Sequence, residues 1–405
     1  MILPRCGIHD ISLATTHYVL DHATLARQQG VPVEKYHRGL GQEAMSIAAD
    51  DEDVVTLAAT AAAPVLRRHG TERLRTLILA TETGIDQSKA AGLPLHPLLD
   101  LPPTTRVVEL KQACYAATAA LQFAVGLITR DPAQQVLVIA SDIARYDLDT
   151  PAEATQGAGA AAILVSADPA VAELGPVTGV YSADVMDFWR PNHRATPIVD
   201  GKLSITAYLD AVRHAYADYR RRGGHDLAEF GAFCYHQPFT RMAHKAHRHL
   251  LESAGAPPED HDIDAAVAAT TRYNRVIGNS YTASLYLALA ALLDQPDDLT
   301  GTPIALLSYG SGCVAEFFSA TPVPGYREHL RTDANRDAVD ARKPIGYDRY
   351  RTLHETPPPT GRYVPDAETA GPYRLAAVTN DIRTYEATEN RRVATYSVNS
   401  GSRGE

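Results

Sequence analysis

A chain of 405 residues, 45% hydrophobic and 21% charged, can hold two or three average domains or one large duplicated unit, and the composition is that of a globular enzyme. A formal net charge of -10 argues against nucleic acid as the main partner, although a local basic patch can still hold a small anion. Cys6, Cys114, Cys234 and Cys313 form neither CxxC pairs nor a disulfide framework, and no apolar run suits a signal peptide or a membrane span, so a soluble, cytoplasmic protein with no membrane partner is expected.

In chain order, residues 7–20 read as an opening strand and turn, and Val54–Arg68 as a helix leading to a strand over Arg75–Thr83. The run Thr76-Leu77-Ile78-Leu79-Ala80-Thr81-Glu82 is apolar until it ends in an acid, which suits a strand buried on both faces of a layered α/β structure. Val107–Leu121 reads as a short strand that stops at the lone Cys114 and turns into an Ala-rich helix. A helix beginning at Cys114 would aim its free N–H groups and positive dipole end at the sulfur and favour thiolate. Alone, such a cysteine is better read as a buried structural thiol; the strand–Cys–helix order and the partners that follow turn the balance toward chemistry.

Val136–Asp142 is another buried strand, and Gln156–Val165 a glycine-rich turn into a strand. The second half repeats this order. Phe233–Pro238 is a strand end carrying the polar His236, as the earlier strand carries Glu82, and Gly278–Leu287 opens a small-residue helix, as Cys114 does. Ile304–Ser308 is a strand, and Tyr309–Phe318 mirrors the glycine turn at Gln156. Four correspondences in one order predict two halves of a duplicated α/β unit, with a site where their strand ends meet. The expected divisions are an N-terminal half over 1–170, an insertion over 171–222 with an amphipathic helix from about Ile205 to Arg221, a C-terminal half over 223–330, and a polar, Pro-rich extension over 331–405 ending in a flexible tail.

Three groups are thereby brought toward one cavity: Cys114, Glu82 and His236. A thiolate can take an acyl group, a carboxylate can remove a proton from a weakly acidic methyl, and a histidine can hydrogen-bond a carbonyl that becomes an alkoxide. Past Pro238, Arg241, His244, Lys245 and Arg248 fall at i, i+3, i+4 and i+7 on one helical face, which suits phosphate groups or is simply a solvated basic face. His244, His247 and His249 do not share a face and gain no carboxylate or cysteine set, so no metal site is expected.

With these residues in view the chain resembles the hydroxymethylglutaryl-CoA synthases. The resemblance is carried in order by Thr81-Glu82-Thr83, Glu109–Tyr115, Thr155–Gly159, Asp187-Phe188-Trp189-Arg190-Pro191, Val199-Asp200-Gly201, Tyr235–Thr240, Gly278–Thr282 and Ser308–Gly312. It covers roughly residues 7–330 and looks most like the bacterial enzymes of the mevalonate pathway. It implies an α/β, thiolase-like fold of duplicated αβαβα layers, a homodimer, acetyl-CoA and acetoacetyl-CoA as substrates, and no metal or redox cofactor. It further implies Cys114 as acetyl carrier, Glu82 as general acid/base, and His236 and Asn279 as contacts to the acetoacetyl group. Ser311 would shape the oxyanion site, Tyr146, Thr155, Phe188 and Ser204 would line the substrate pocket, and Lys245 would lie near the CoA phosphates. Arg241 stands where relatives often have Lys, which keeps the charge and changes the geometry. The nearest rival is a related synthase that acts on a carrier-protein-bound β-keto chain. A ketoacyl carrier-protein synthase would want a Cys–His–His or Cys–His–Asn set instead, and a non-catalytic acyl-CoA-binding protein would be expected to have lost Cys114 or Glu82.

Overall fold

The computed structural model describes residues 5–388. Nine strands form one mixed sheet: β1 Gly7–Thr15, β2 Leu74–Ala80, β3 Arg106–Leu110, β4 Gln135–Ala144, β5 Gly157–Ser166, β6 Ala172–Ser182, β7 Ala232–Tyr235, β8 Ile304–Gly310 and β9 Val314–Pro322, in the order β7-β8-β9-β6-β1-β5-β4-β2-β3. β1 and β6 meet antiparallel at the centre, through Gly7–Glu173 and Ile8–Ala172. Outward from β1 run β5 and β4, each antiparallel to its inner neighbour, then β2 parallel to β4. Outward from β6 run β9, β8 and β7 with the same three relations. Strand order and direction repeat, so the duplication read from the sequence is present in the topology.

The helices that matter for the site are α1 Val54–His69, α2 Ala116–Arg130, α3 Gly201–Arg221, α4 Arg241–Ser253, α5 Ser284–Leu293 and α6 Tyr347–Glu355. Asp53 starts α1 with a capping box: its side chain accepts from the Val55 and Thr56 nitrogens, and its backbone nitrogen donates to Thr56 Oγ1. Alternation along each strand sorts the layers. Leu77, Leu79, Leu137 and Ile139 face α1, whereas Ile78, Ala80, Val136 and Val138 face the other way, onto the small residues of α2 and the apolar α5. In the second half Ile304, Leu306 and Phe318 join that same central cluster, and Ala305, Leu307 and Phe317 pack on α3 and α4. The result is helix, half-sheet, paired helices α2 and α5, half-sheet, helix. Every face of α5 is buried, which is why its sequence is apolar all round.

Two expected boundaries are corrected. Residues 172–182, placed in an insertion, are the central strand β6. Gly175, Pro176 and Gly179 disguise it, and the glycine at 179 has a reason: a Cβ there would stand 2.2 Å from the Ala215 oxygen and the Tyr219 nitrogen of α3. The extension is also more than a polar appendage, since beyond 331 it holds a helix over Thr332–Asp340, then α6, then a three-stranded antiparallel sheet of Arg362–Tyr363, Tyr373–Thr379 and Ile382–Ala387. Its anchors are distant in sequence. Arg331 grips the buried Asp10 through Nε at 3.1 Å and Nη2 at 2.5 Å, Asp51 accepts from the Glu368 and Thr369 nitrogens, and Tyr385 donates to Asp53 at 2.6 Å. Leu375, Val378 and Tyr385 pack against the α1 layer. The tail from 390 onward lies outside the described residues.

Candidate active site

Cys114 stands in the turn between β3 and α2. Ala113 before it has φ 43°, a left-handed conformation that costs a residue with a Cβ on the order of 1–3 kcal/mol, and Gln112 and Cys114 are joined in an isolated bridge. The end of β8 presses on this turn. A Cβ at Gly310 would lie 2.6 Å from the Gln112 oxygen and 2.7 Å from the Tyr115 nitrogen, so glycine is required for the approach. Gln112 Nε2 donates to the Ser311 carbonyl at 3.3 Å, which places the Ser311 loop of the second half beside the cysteine turn of the first.

The helix begins at Ala116 with Tyr115 as its cap, not at Cys114. The expectation of a thiolate is corrected with it: burial, then the adjacent Glu82 and Asp142 charges, push the Cys114 thiol well above the ordinary cysteine range. A helix end carries only about half a charge, and a full carboxylate close by outweighs it. The thiol, still partly accessible, hydrogen-bonds Glu82 Oε2 at 3.8 Å.

Glu82 follows β2, as the strand-end reading requires. Its carboxyl is raised well above the usual value by burial and by Asp142, offset in part by Arg190 and by the thiol hydrogen bond. Asp142, fully buried near the end of β4, is the hub of this region. Its Oδ1 accepts from Thr81 Oγ1 (2.7 Å), the Glu82 nitrogen (2.9 Å), the Thr83 nitrogen (3.0 Å) and Thr83 Oγ1 (2.6 Å). Its Oδ2 accepts from the Thr282 nitrogen (3.1 Å) and Thr282 Oγ1 (2.5 Å), so one carboxylate ties the Glu82 loop to the Asn279–Thr282 segment of the other half. Arg190 Nη2 donates to the Glu82 carbonyl at 2.6 Å. Asp142→Asn would turn an amide N–H₂ toward hydroxyl and amide donors. It should cost at least about 3 kcal/mol, since hydrogen bonds to a charged group are worth roughly 1.5–3 kcal/mol each. A denaturation midpoint unchanged from wild type would sink that account.

His236 occupies the matching place past β7. Its nitrogen donates to the Leu307 carbonyl at 3.0 Å, and its carbonyl accepts from the Tyr208 hydroxyl at 2.8 Å. Burial lowers the imidazole to about 3, so the ring is neutral and has one N–H to give. Asn279 lies where the halves touch. Its nitrogen donates to the Thr155 carbonyl at 3.0 Å, and a Cβ at Gly157 would lie 2.8 Å from that nitrogen. Asn279 Nδ2 donates to the Tyr146 hydroxyl at 3.3 Å while its Oδ1 accepts from the Tyr281 nitrogen at 2.9 Å. The rings of Tyr146, Phe188 and Tyr281 meet edge to face at 5.9–6.2 Å, and Cys114 packs on their cluster.

The sequence-derived residues thus fall into two places. Cys114, Glu82, Asn279, Tyr146, Phe188, Thr155 and the Ser311 loop converge at the seam, with His236 at the matching strand end. Ser204 is in the first turn of α3, one turn before Tyr208 and so on the same face. Arg241, His244, Lys245 and Arg248 do share a face of α4 and line an open groove of about 360 Å³ with Asp264, which bonds Arg241 at 3.3 Å. A second groove of about 330 Å³ adds His37, Arg38 and Arg275 beside Arg241 and His244. Pro238, expected in the first turn of α4, precedes the helix, which starts at Arg241. Among the described residues no group of three or more His, Cys, Asp or Glu is placed to hold a metal; His247 instead bonds the Tyr235 hydroxyl at 2.8 Å.

Family models for the N-terminal and C-terminal parts of hydroxymethylglutaryl-coenzyme A synthase match residues 4–170, and 174–256 with 256–343. The chain belongs to the hydroxymethylglutaryl-CoA synthase family. It is 38% identical over 382 residues to the hydroxymethylglutaryl-CoA synthase of Enterococcus faecalis, covering 94% of this chain and 99% of that one. A solved HMG-CoA synthase complexed with CoA is 38% identical and superposes with a TM-score of 0.89, over 95% of this chain and 100% of the other. The HMG synthase of the curacin biosynthetic pathway, in complex with an acetyl donor carrier protein, superposes equally well at 0.89 with 30% identity, over 95% and 100%. The thiolase-like fold of this family is the duplicated arrangement described above.

Three residues of the site carried no role in the sequence reading. Asp142 had a signal, an acid closing a buried strand as Glu82 does. Arg190 lies in the Asp187–Pro191 motif, but its reach to the Glu82 carbonyl is a tertiary fact. Gln156 opened a glycine turn, and nothing local marks its buried amide as a junction.

Proposed function

We propose that this chain condenses acetyl-CoA with acetoacetyl-CoA and water to give 3-hydroxy-3-methylglutaryl-CoA and CoA. The observation that carries the reading is the Cys114 thiol against the Glu82 carboxyl at the seam of the two halves, within a chain of this family. Cys114 attacks the acetyl carbonyl and its proton passes to Glu82; the tetrahedral oxyanion is held by backbone N–H groups near Cys114 and Ser311, then collapses to expel CoA, which takes that proton. Glu82, now a carboxylate, removes a methyl proton from acetyl-Cys114. The carbanion attacks the ketone of acetoacetyl-CoA while His236, neutral and able to donate, and Asn279 hydrogen-bond the developing alkoxide, which the Glu82 acid protonates. Water then adds to the Cys114 thioester and releases the product. Tyr146, Phe188, Thr155 and Ser204 line the acyl pocket. CoA thioesters are substrates here, and the scheme calls on no metal or redox cofactor.

Arg241 and Lys245 bind the CoA phosphates in this reading. Replacing both by Ala should raise the KM for acetyl-CoA at least about tenfold, because charge-assisted contacts are worth roughly 1.5–3 kcal/mol and about 1.4 kcal/mol is a factor of ten. Added salt should weaken the wild type more than the variant. A short acetyl thioester without the nucleotide should be almost indifferent; an equal loss on it would reject the phosphate role.

The second reading is a carrier-protein acceptor; the likeness to the curacin synthase, whose structure holds an acetyl donor carrier protein, and the open basic groove, which suits an acidic partner, favour carrier proteins as partners. One experiment separates them: load the protein with radiolabelled acetyl-CoA, add acetoacetyl-CoA or an acetoacetyl carrier protein, and identify the labelled product. Product on CoA supports the first reading; product only on the carrier overturns it. We further infer a homodimer paired through β3, the sheet's edge, which exposes Val108, and through α2, which exposes Phe123. No helix among the described residues is long and apolar enough to cross a membrane. A cytoplasmic setting suits the free thiols and CoA thioesters.

A further inference from the structure

The C-terminal extension reaches the seam through a buried hydrogen-bond relay. α6 lays Tyr350 and His354, i and i+4 on one face, against the side chain of Gln156. Gln156 Oε1 accepts from the Tyr146 backbone nitrogen at 2.7 Å and lies 3.0 Å from His354 Nε2. A backbone N–H can only donate, so Oε1 is fixed as the acceptor and His354 Nε2 must carry its proton. Gln156 Nε2 donates to the Tyr350 hydroxyl at 2.7 Å, which donates onward to Glu153 Oε1 at 3.0 Å. Glu153, buried completely, is held at its other oxygen by Gln29 Nε2 (2.8 Å) and the Asp149 nitrogen (2.7 Å). From the residue before Tyr146, Arg145 Nη2 donates to the Leu353 and His354 carbonyls at the end of α6, at 2.7 and 3.1 Å.

Both sides of Tyr146 are therefore pinned to α6: its nitrogen through Gln156, and its preceding residue through Arg145. The Tyr146 ring is what meets Phe188 and Tyr281, and its hydroxyl is what receives Asn279. We propose that His354 and Tyr350 are positioning residues for the condensation step. Through Gln156 they fix the Tyr146 main chain, and so the Tyr146 ring and the Asn279 amide that face the acceptor carbonyl. They touch no reacting atom. The inference rests on the reading of Asn279 and Tyr146 given above. It also assigns the extension a part in the reaction, which its position outside the duplicated halves does not suggest.

The test compares His354→Ala, Tyr350→Phe and His354→Gln with wild type, using Thr352→Ala at an exposed position of the same helix as a control. Acetylation of Cys114 by acetyl-CoA is followed by mass spectrometry, and condensation by steady-state kinetics with acetoacetyl-CoA. His354→Ala and Tyr350→Phe should each lower kcat about tenfold, the scale expected for a slightly misplaced group, with the KM for acetyl-CoA and the acetylation rate unchanged. His354→Gln, whose amide still offers an N–H to Gln156 Oε1, should recover most of the loss, and Thr352→Ala should behave as wild type. If kcat is unchanged in both variants, or if acetylation and condensation fall by the same factor, α6 is a structural support only and the proposal is wrong. If wild-type protein takes no acetyl group at Cys114, the reading of the site fails first; normal acetylation with unaffected variants defeats this inference alone.

Discussion

Cys114→Ala is expected to abolish the covalent acetyl adduct and to lower turnover by at least about 10⁴-fold, the scale seen when a nucleophile acting in concert with its base is removed. The fold should survive. Cys114 sits in a turn before α2 among small residues, its side chain is partly accessible, and its hydrogen bond to Glu82 is long, at 3.8 Å. Alanine removes one sulfur from that surround and leaves the strained backbone at Ala113 as it was. Removing the thiol also takes away a group pushed well above its ordinary range, so Glu82 loses a hydrogen-bond donor without gaining a charge. Intact mass after incubation with acetyl-CoA reads the adduct directly. A variant that still acquires one acetyl group at the wild-type rate would mean that another residue carries it, with Cys234 and Cys313 the thiols to examine next.

Some of this architecture was legible because burial writes a period into sequence. The apolar runs at Thr76–Ala80 and Val136–Ala140 are strands covered on both faces, and the all-apolar Ser284–Leu293 is a helix enclosed on all sides. The duplication could be read because each half spends its polar residues at the same strand ends. The parts that escaped were decided by contacts far along the chain. β6 was hidden by glycines that make room for neighbours, Gly179 for α3 and Gly175 for Ser319 of β9. The extension was unreadable because it is held by Asp10, Asp51 and Asp53, more than 300 residues away, and not by an amphipathic repeat. The protonation of Cys114 escaped for a related reason. A helix following a cysteine is visible in sequence, whereas a buried carboxyl hub set opposite it by another strand is not.

Glu82→Gln should separate the two halves of the reaction. Glutamine keeps the shape and its N–H₂ or oxygen can still face the thiol, so acetyl-Cys114 should form, more slowly because the thiol proton has lost its acceptor. Condensation should fall by at least about 10³-fold, within the range that a positioned general base contributes, because an amide cannot take the methyl proton. The pH dependence carries the same assignment with a definite sign. In the proposed reaction the base works as the carboxylate, and burial with Asp142 lifts Glu82 above the usual carboxylate value. Wild-type condensation should therefore rise with pH through an inflection above that value and level off once Glu82 is ionised. His236 contributes no inflection in the same window, since burial holds it near 3 and the ring is neutral throughout. In Glu82→Gln the inflection should vanish from the residual rate. Its persistence would assign the base to another group, and equal loss of acetylation and condensation would make Glu82 a support for the turn that presents Cys114 instead of the acid and base of the reaction.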